Sequence, residues 1–241
     1  MIMLSRSALI LIMPFALSGT ILCWAGGEIP AWYELAREIV ETGAQLSAPN
    51  ANALELLKAQ EINIEKLKGL PSPSVKELNQ LIQSPRMEER EAALATAMFL
   101  NRTDSSLIKT IMLNYVQERG FLAKIYSQLV LANITPSQSK AMEKQLFNIL
   151  QNETEESIII AGMQNVARLE RGKRTALFVQ YMKNGSDGML RACTVALAKL
   201  GRPDLEAVTN RLNKQGAKNA AAFLDRFGED TLREVASQGN K

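Results

Sequence analysis

Apolar residues recur along this chain three apart, then again eight and twelve residues past the second of the pair, and this spacing constrains the fold more than any other feature. Leu67, Leu70, Leu78 and Ile82 show it first, followed by Ala97, Leu100, Ile108 and Met112. Leu131, Ile134, Met142 and Leu146 come next, then Val166, Leu169, Leu177 and Tyr181, then Leu197, Leu200, Val208 and Leu212. Corresponding positions step by 30, 34, 35 and 31 residues. Residues three or four apart share one face of a helix, and a period of this size holds one helix pair. A single pair cannot bury its apolar face, so such units stack. The spacing predicts an all-α chain, a right-handed α-solenoid of about five to six helix-pair repeats.

At 241 residues the chain can bury a sizeable core, as one large domain or two small ones. Residues are 46% hydrophobic but only 5% aromatic, so Leu, Ile, Ala and Met must fill the helix–helix contacts. The net charge of +3 is too small to imply nucleic acid. The absence of His removes the commonest general base and zinc ligand and every His-containing triad.

Residues 1–25 read as a secretory signal peptide. Arg6 gives a weakly basic start, Ala8 to Leu22 is a 15-residue run interrupted only by Pro14, Ser18, Gly19 and Thr20, and Cys23 and Ala25 flank Trp24 as small residues for cleavage after Ala25. The alternative is an uncleaved membrane anchor, for which the run is short against a span of about 20 residues. A lipoprotein signal fits less well, because Leu22 stands before Cys23 where a small residue is wanted. Cleavage near Ala25 leaves Cys193 as the one thiol, so no internal disulfide can form.

Residues 26–241 read as one continuous domain. Glu28 to Leu46 and Asn52 to Lys68 read as the first two helices, and helices then alternate with short polar joints. Ser72-Pro73, Ser84-Pro85 and Thr135-Pro136 each place a capping hydroxyl before a first-turn proline. Thr154-Glu155-Glu156 and Ser186-Asp187 put acids where a helix amino terminus favours them. Ala217 to Val235 reads as a shorter helix pair closing the last repeat with Phe223, Leu224, Phe227, Leu232 and Val235. Seven residues before the Leu100 class lie Ala93, Ser127, Gly162 and Cys193, small residues that let two helices approach closely. Cys193 is thereby a packing residue rather than a nucleophile.

The stretch from Asp187 to Gly201, with an Asp-containing turn, Arg191 early in its helix, an Ala-rich body and a Leu-Gly end, resembles a HEAT-type repeat of the short bacterial sort, with Arg202 to Leu212 as its second helix. The likeness is fair from Val166 to Lys183, while Glu91 and Ile125 replace the Arg in two other units. The resemblance implies the solenoid fold and says little of function. A tetratricopeptide array is the alternative, although the unequal repeat lengths and the missing Trp-Leu-Gly-Tyr signature count against it.

In HEAT-like solenoids the second helix of each unit lines the concave side. Positions six, ten and fourteen past the reference Leu then face outward: Ser106, Thr110 and Asn114; Lys140, Lys144 and Asn148; Thr175, Val179 and Lys183; Glu206, Asn210 and Lys214. Leu113, Phe147 and Met182 add an apolar edge. Lys140, Lys144, Phe147, Val179, Met182, Lys183, Asn210 and Lys214 are the candidate partner-binding residues, for a protein with an acidic or amphipathic segment. The competing account is a solvated helix face. The basic run Arg168-Leu-Glu-Arg171-Gly-Lys173-Arg174 reads as a solvated loop or, failing that, a patch for an acidic partner or anionic headgroups. Sequons at Asn101, Asn133, Asn152 and Asn184 fall at helix joints, where capping already favours Asn, Ser and Thr.

Catalysis finds no support. Glu88-Glu89, Glu155-Glu156 and Glu229-Asp230 sit at helix starts or turns, and there is no Gly-rich phosphate loop, Cys-X-X-Cys or nucleophile elbow. The expectation is an exported, non-catalytic protein-binding scaffold or adaptor of a bacterial cell envelope, periplasmic or secreted, with no cofactor, metal or nucleic acid. Alternatives are a membrane-anchored structural component, touching the membrane only through an uncleaved amino-terminal segment, and an enzyme related to HEAT-repeat lyases.

Overall fold

The computed structural model describes residues 29–46 and 52–238, and these contain helices and no strand. The signal-peptide reading of residues 1–25 lies outside the described residues. The chain divides into two compact units, at residues 133 and 134, within what the spacing marks as one repeat.

The first unit holds α1 (Ala31–Gln45), α2 (Ala53–Gly69), α3 (Val75–Ile82), α4 (Met87–Phe99), α5 (Ser105–Tyr115) and α6 (Phe121–Leu131). Helices α1, α4 and α6 pack side by side in one row, α3 and α5 form a second row across it, and α2 packs on α1. Helix α2 is the outlier, with only Leu67 buried and Leu54 and Ile62 more than half exposed.

The second unit repeats the plan with α7 (Pro136–Asn152), α8 (Glu156–Ala161), α9 (Met163–Ala167), α10 (Arg171–Lys183), α11 (Asp187–Leu200), α12 (Arg202–Lys214) and α13 (Lys218–Gln238). Helices α7, α10 and α12 make one row, and α8 with α9, α11 and α13 the other. Buried Gly162 separates α8 from α9 in what the spacing marks as a single helix.

The positions singled out by their spacing form the cores. Of the twenty, Leu70, Leu100 and Leu200 are half-buried and every other is buried. The small column is buried throughout, with Ala93 and Cys193 at 0% exposure. Burial, and to a lesser degree Glu156, push the Cys193 thiol well up. Cys193 should therefore resist a thiol reagent in the folded protein and react only on unfolding. Its replacement by Leu should cost about 1–3 kcal/mol by overpacking, against a mild effect of Ala. Rapid native labelling would mean that α11 faces the other way.

Joint chemistry decides where helices begin. Thr135 caps α7 as its sequence implies, exchanging bonds with Gln138 in a capping box, and Ser186 caps α11 through the Met189 N–H. The two other Ser-Pro caps are misplaced. Helix α3 is capped by Ser74, in a capping box with Glu77, and α4 starts at Met87 after Arg86. Pro73 is buried and its carbonyl accepts from Arg102 Nη1 at 2.7 Å, so its chain segment is held as a joint. Asn101 adopts φ 52° past the end of α4, and the Arg102 N–H reaches back to Ala97 O, so this sequon residue is a helix terminator.

The last element departs most from expectation. Instead of a shorter pair, one 21-residue helix runs through Gly228. A Cβ on Gly228 would stand 2.7 Å from Leu205 Cδ1, so the glycine lets α13 lie close on α12 where sequence reads a break.

Candidate functional site

The row of α7, α10 and α12 in the second unit carries the candidate binding residues. Lys140 and Lys144 stand exposed on α7, Lys183 on the last turn of α10, and Asn210 and Lys214 on α12. No ion pair engages these four lysines among the described residues. Asn148 on α7 and Glu206 on α12 are exposed beside them.

The middle of the expected stripe is corrected. Val179 is 3% exposed and Met182 1%, Thr175 is buried with them, and Phe147 is half-buried. Thr175, Val179 and Met182 pack in the core and leave the surface, while Phe147 keeps part of its ring in water. Helix α10 lies between α7 and α12 in its row and also touches α9 and α11, so its flanks are covered as well as its inner face. Past its exposed Arg171 and Gly172 it leaves Gln180 and Lys183 to solvent, and with half-buried Lys173 and Ala176 these run at spacings of three, four and three residues along one narrow stripe. Sequence reasoning missed Gln180, which donates from Nε2 to Gln151 O of α7 at 3.1 Å. Polar Lys173, Gln180 and Lys183, with small Ala176 in the same phase, against apolar Leu177, Phe178, Val179, Tyr181 and Met182 were the available signal.

The basic run is not a solvated loop. Arg171 to Arg174 form the first turn of α10, where the helix dipole disfavours cations. Each cation of the run is hydrogen-bonded or ion-paired within the unit. Arg168 Nη1 donates to Ile134 O at 2.8 Å, and Arg171 Nη2 donates to Pro203 O at 2.6 Å. Lys173 pairs with Glu143 at 3.0 Å. Arg174 holds both oxygens of Asp204 through Nε and Nη2, at 2.8 and 2.9 Å. The Glu170 backbone N–H and then Lys173 hold the Glu143 carboxyl below its usual range. The run is a clamp between helices, whereas the four lysines, like Arg211 on α12, are exposed and without an ion pair among the described residues.

The same device recurs in the first unit, where Arg90 forks onto Glu118 at 2.6 and 2.9 Å. Side-chain hydrogen bonds in both units join residues 27 to 34 apart, close to the repeat period, among them Tyr181 to Leu150 O and Ser186 to Glu156.

Among the described residues, no group of three Cys, Asp or Glu side chains is placed to hold a metal ion, and no helix is long and apolar enough to cross a membrane. The four sequon residues are all exposed. No protein-family model matches this chain, and neither a curated protein nor a solved structure is similar to it. Sequence and geometry define the class on their own, an all-helical protein of two compact units.

Proposed function

We propose that this chain is an exported, non-catalytic scaffold of a bacterial cell envelope that binds a protein through an acidic segment. Its helix pairs are read as stacked HEAT-like repeats of a right-handed α-solenoid. Support for the stacking comes from the two rows of helices in each unit and from the hydrogen bonds that span about one repeat. The observation that carries the binding reading is a contrast of charges. Every cation from Arg168 to Arg174 is engaged within its unit, whereas Lys140, Lys144, Lys183 and Lys214 are exposed and unpaired on the α7, α10 and α12 row. Unpaired exposed lysines speed the capture of an anionic partner and add little to folding.

A Glu-rich model peptide, labelled for anisotropy, tests the surface. Reversing Lys140, Lys144, Lys183 and Lys214 to Glu should weaken its capture roughly tenfold at low ionic strength, while stability changes little. The difference should shrink as salt is raised towards about 0.15 M, where the screening length is about 8 Å. Arg191 and Lys199, exposed on α11 in the other row, are the control, compared with reversal of Lys140 and Lys144 alone so that the charge change is equal. Equal loss from reversing those two would refute the surface proposed. The mass of the mature chain tests export separately, since a start at Gly26 excludes an amino-terminal anchor.

A further inference from the structure

The start of α6 gathers two carboxylates where one would serve. Glu118, in the joint before α6, accepts the Gly120 N–H at 2.7 Å, the Arg119 N–H at 2.9 Å and the Arg90 fork. Glu91, one turn into α4 and 8% exposed, receives the Ala123 N–H from the first turn of α6. The single guanidinium is spent on Glu118, and Glu91 has no ion-pair partner among the described residues. Burial pushes the Glu118 carboxyl up, but Arg90 and the two N–H donors outweigh it and hold the group below its usual range. Glu118 therefore keeps its charge, and a second charge on Glu91 would be buried beside it.

We propose that Glu91 is a proton-operated latch: protonated, it closes the α4–α6 contact, and ionised, it loosens the first turn of α6. Arg90 and the Ala123 N–H favour the ionised form, but burial and the neighbouring carboxylates outweigh them. On α4 itself Glu88 adds a like charge and Arg90 an opposite one; on α6 the buried Tyr126 feels Glu91, and Lys124 stands over the Tyr115 ring of α5. From α1, Tyr33 is coupled to Glu89 and Glu88, with Arg37 and Glu34 beside it. On α3, Lys76 is exposed and Glu77 is bound to Ser74, and the charged residues of α2 are all exposed. Burial first, then Glu118 and Glu88, carry the Glu91 carboxyl up to about 7. An unfolded Glu titrates near 4.3, so between those values the folded state binds the extra proton. Stability from this group is complete below the unfolded value, falls as pH rises through the interval, and levels off above about 7.

Hydrogen exchange of the α6 amides in the full chain, corrected for intrinsic rates, tests the latch. The opening equilibrium of residues 121–126 should rise about tenfold from about pH 6 to about pH 8 in the native sequence and stay flat in Glu91→Gln. Glu118→Gln should lower the pH at which the step occurs, by removing the neighbouring charge. A pH step that survives in Glu91→Gln, or equal protection of α6 at both pH values in the native sequence, overturns the proposal. A carboxyl carbon NMR titration of Glu91 in the native sequence decides the matter should Glu91→Gln fail to fold. A midpoint near 7 upholds the latch, and one below about pH 5.5 overturns it.

Discussion

Replacing Leu169 with Ala should destabilise the second unit by about 2–5 kcal/mol. Leu169 is 1% exposed at the joint of α9 and α10, so truncation removes apolar contact and leaves a cavity in a core that cannot fully collapse. Its backbone carbonyl accepts from Arg174 Nη1 at 3.1 Å, which fixes the chain path and limits relaxation. Denaturant unfolding of the full chain, followed by exchange of the α7 to α13 amides, reads the result. The loss should extend past the joint, since α10 touches four of its unit's helices. A cost below about half a kcal/mol would mean that the three, eight and twelve spacing does not mark the core.

Asp204→Asn should cost about 2–3 kcal/mol, at or just below the range for breaking a fully buried pair because Arg174 keeps a fifth of its side chain in water. Asp204 is 5% exposed and accepts both arms of Arg174, with Arg171 Nε at 3.7 Å. Without its charge, two cations face one another at the start of α10, where the helix dipole already opposes them. Arg174→Met made in the Asp204→Asn background should recover part of the loss, and a double-mutant cycle by denaturant unfolding measures the coupling. Additive effects would show that the fork is incidental to the packing of α10 on α12.

Much of this architecture is legible in the sequence, for a local reason. Whether Leu67, Leu78, Val166 or Leu212 faces inward depends on helical phase, which a fixed spacing records directly. Thr135 with Gln138 and Ser186 are legible likewise, because capping involves residues within three positions. Ser74 with Glu77 carries the same signature, which the neighbouring Ser72-Pro73 obscures.

Other features are set by residues about 30 apart. Thr175 and Val179 follow the phase that exposes Lys144 and Asn210, and Met182 the edge position that exposes Leu113, yet all three are buried because α10 has a neighbour on each flank. The Arg168 to Arg174 run has the composition of a solvated loop, and only folding brings Glu143 and Asp204 to its charges. Gly228 carries a helix-breaking signal that close packing on Leu205 overrides. The Glu-Glu-Arg-Glu stretch from 88 to 91 looks like an ordinary acidic helix start until α6 arrives and the chain must choose which carboxylate Arg90 neutralises. The sequence by itself determined most of the helices and their inner faces, because both follow from local periodicity and the hydrophobic effect. Tertiary structure decided which flanks and charges stayed in water, because desolvation depends on neighbours that no local pattern records.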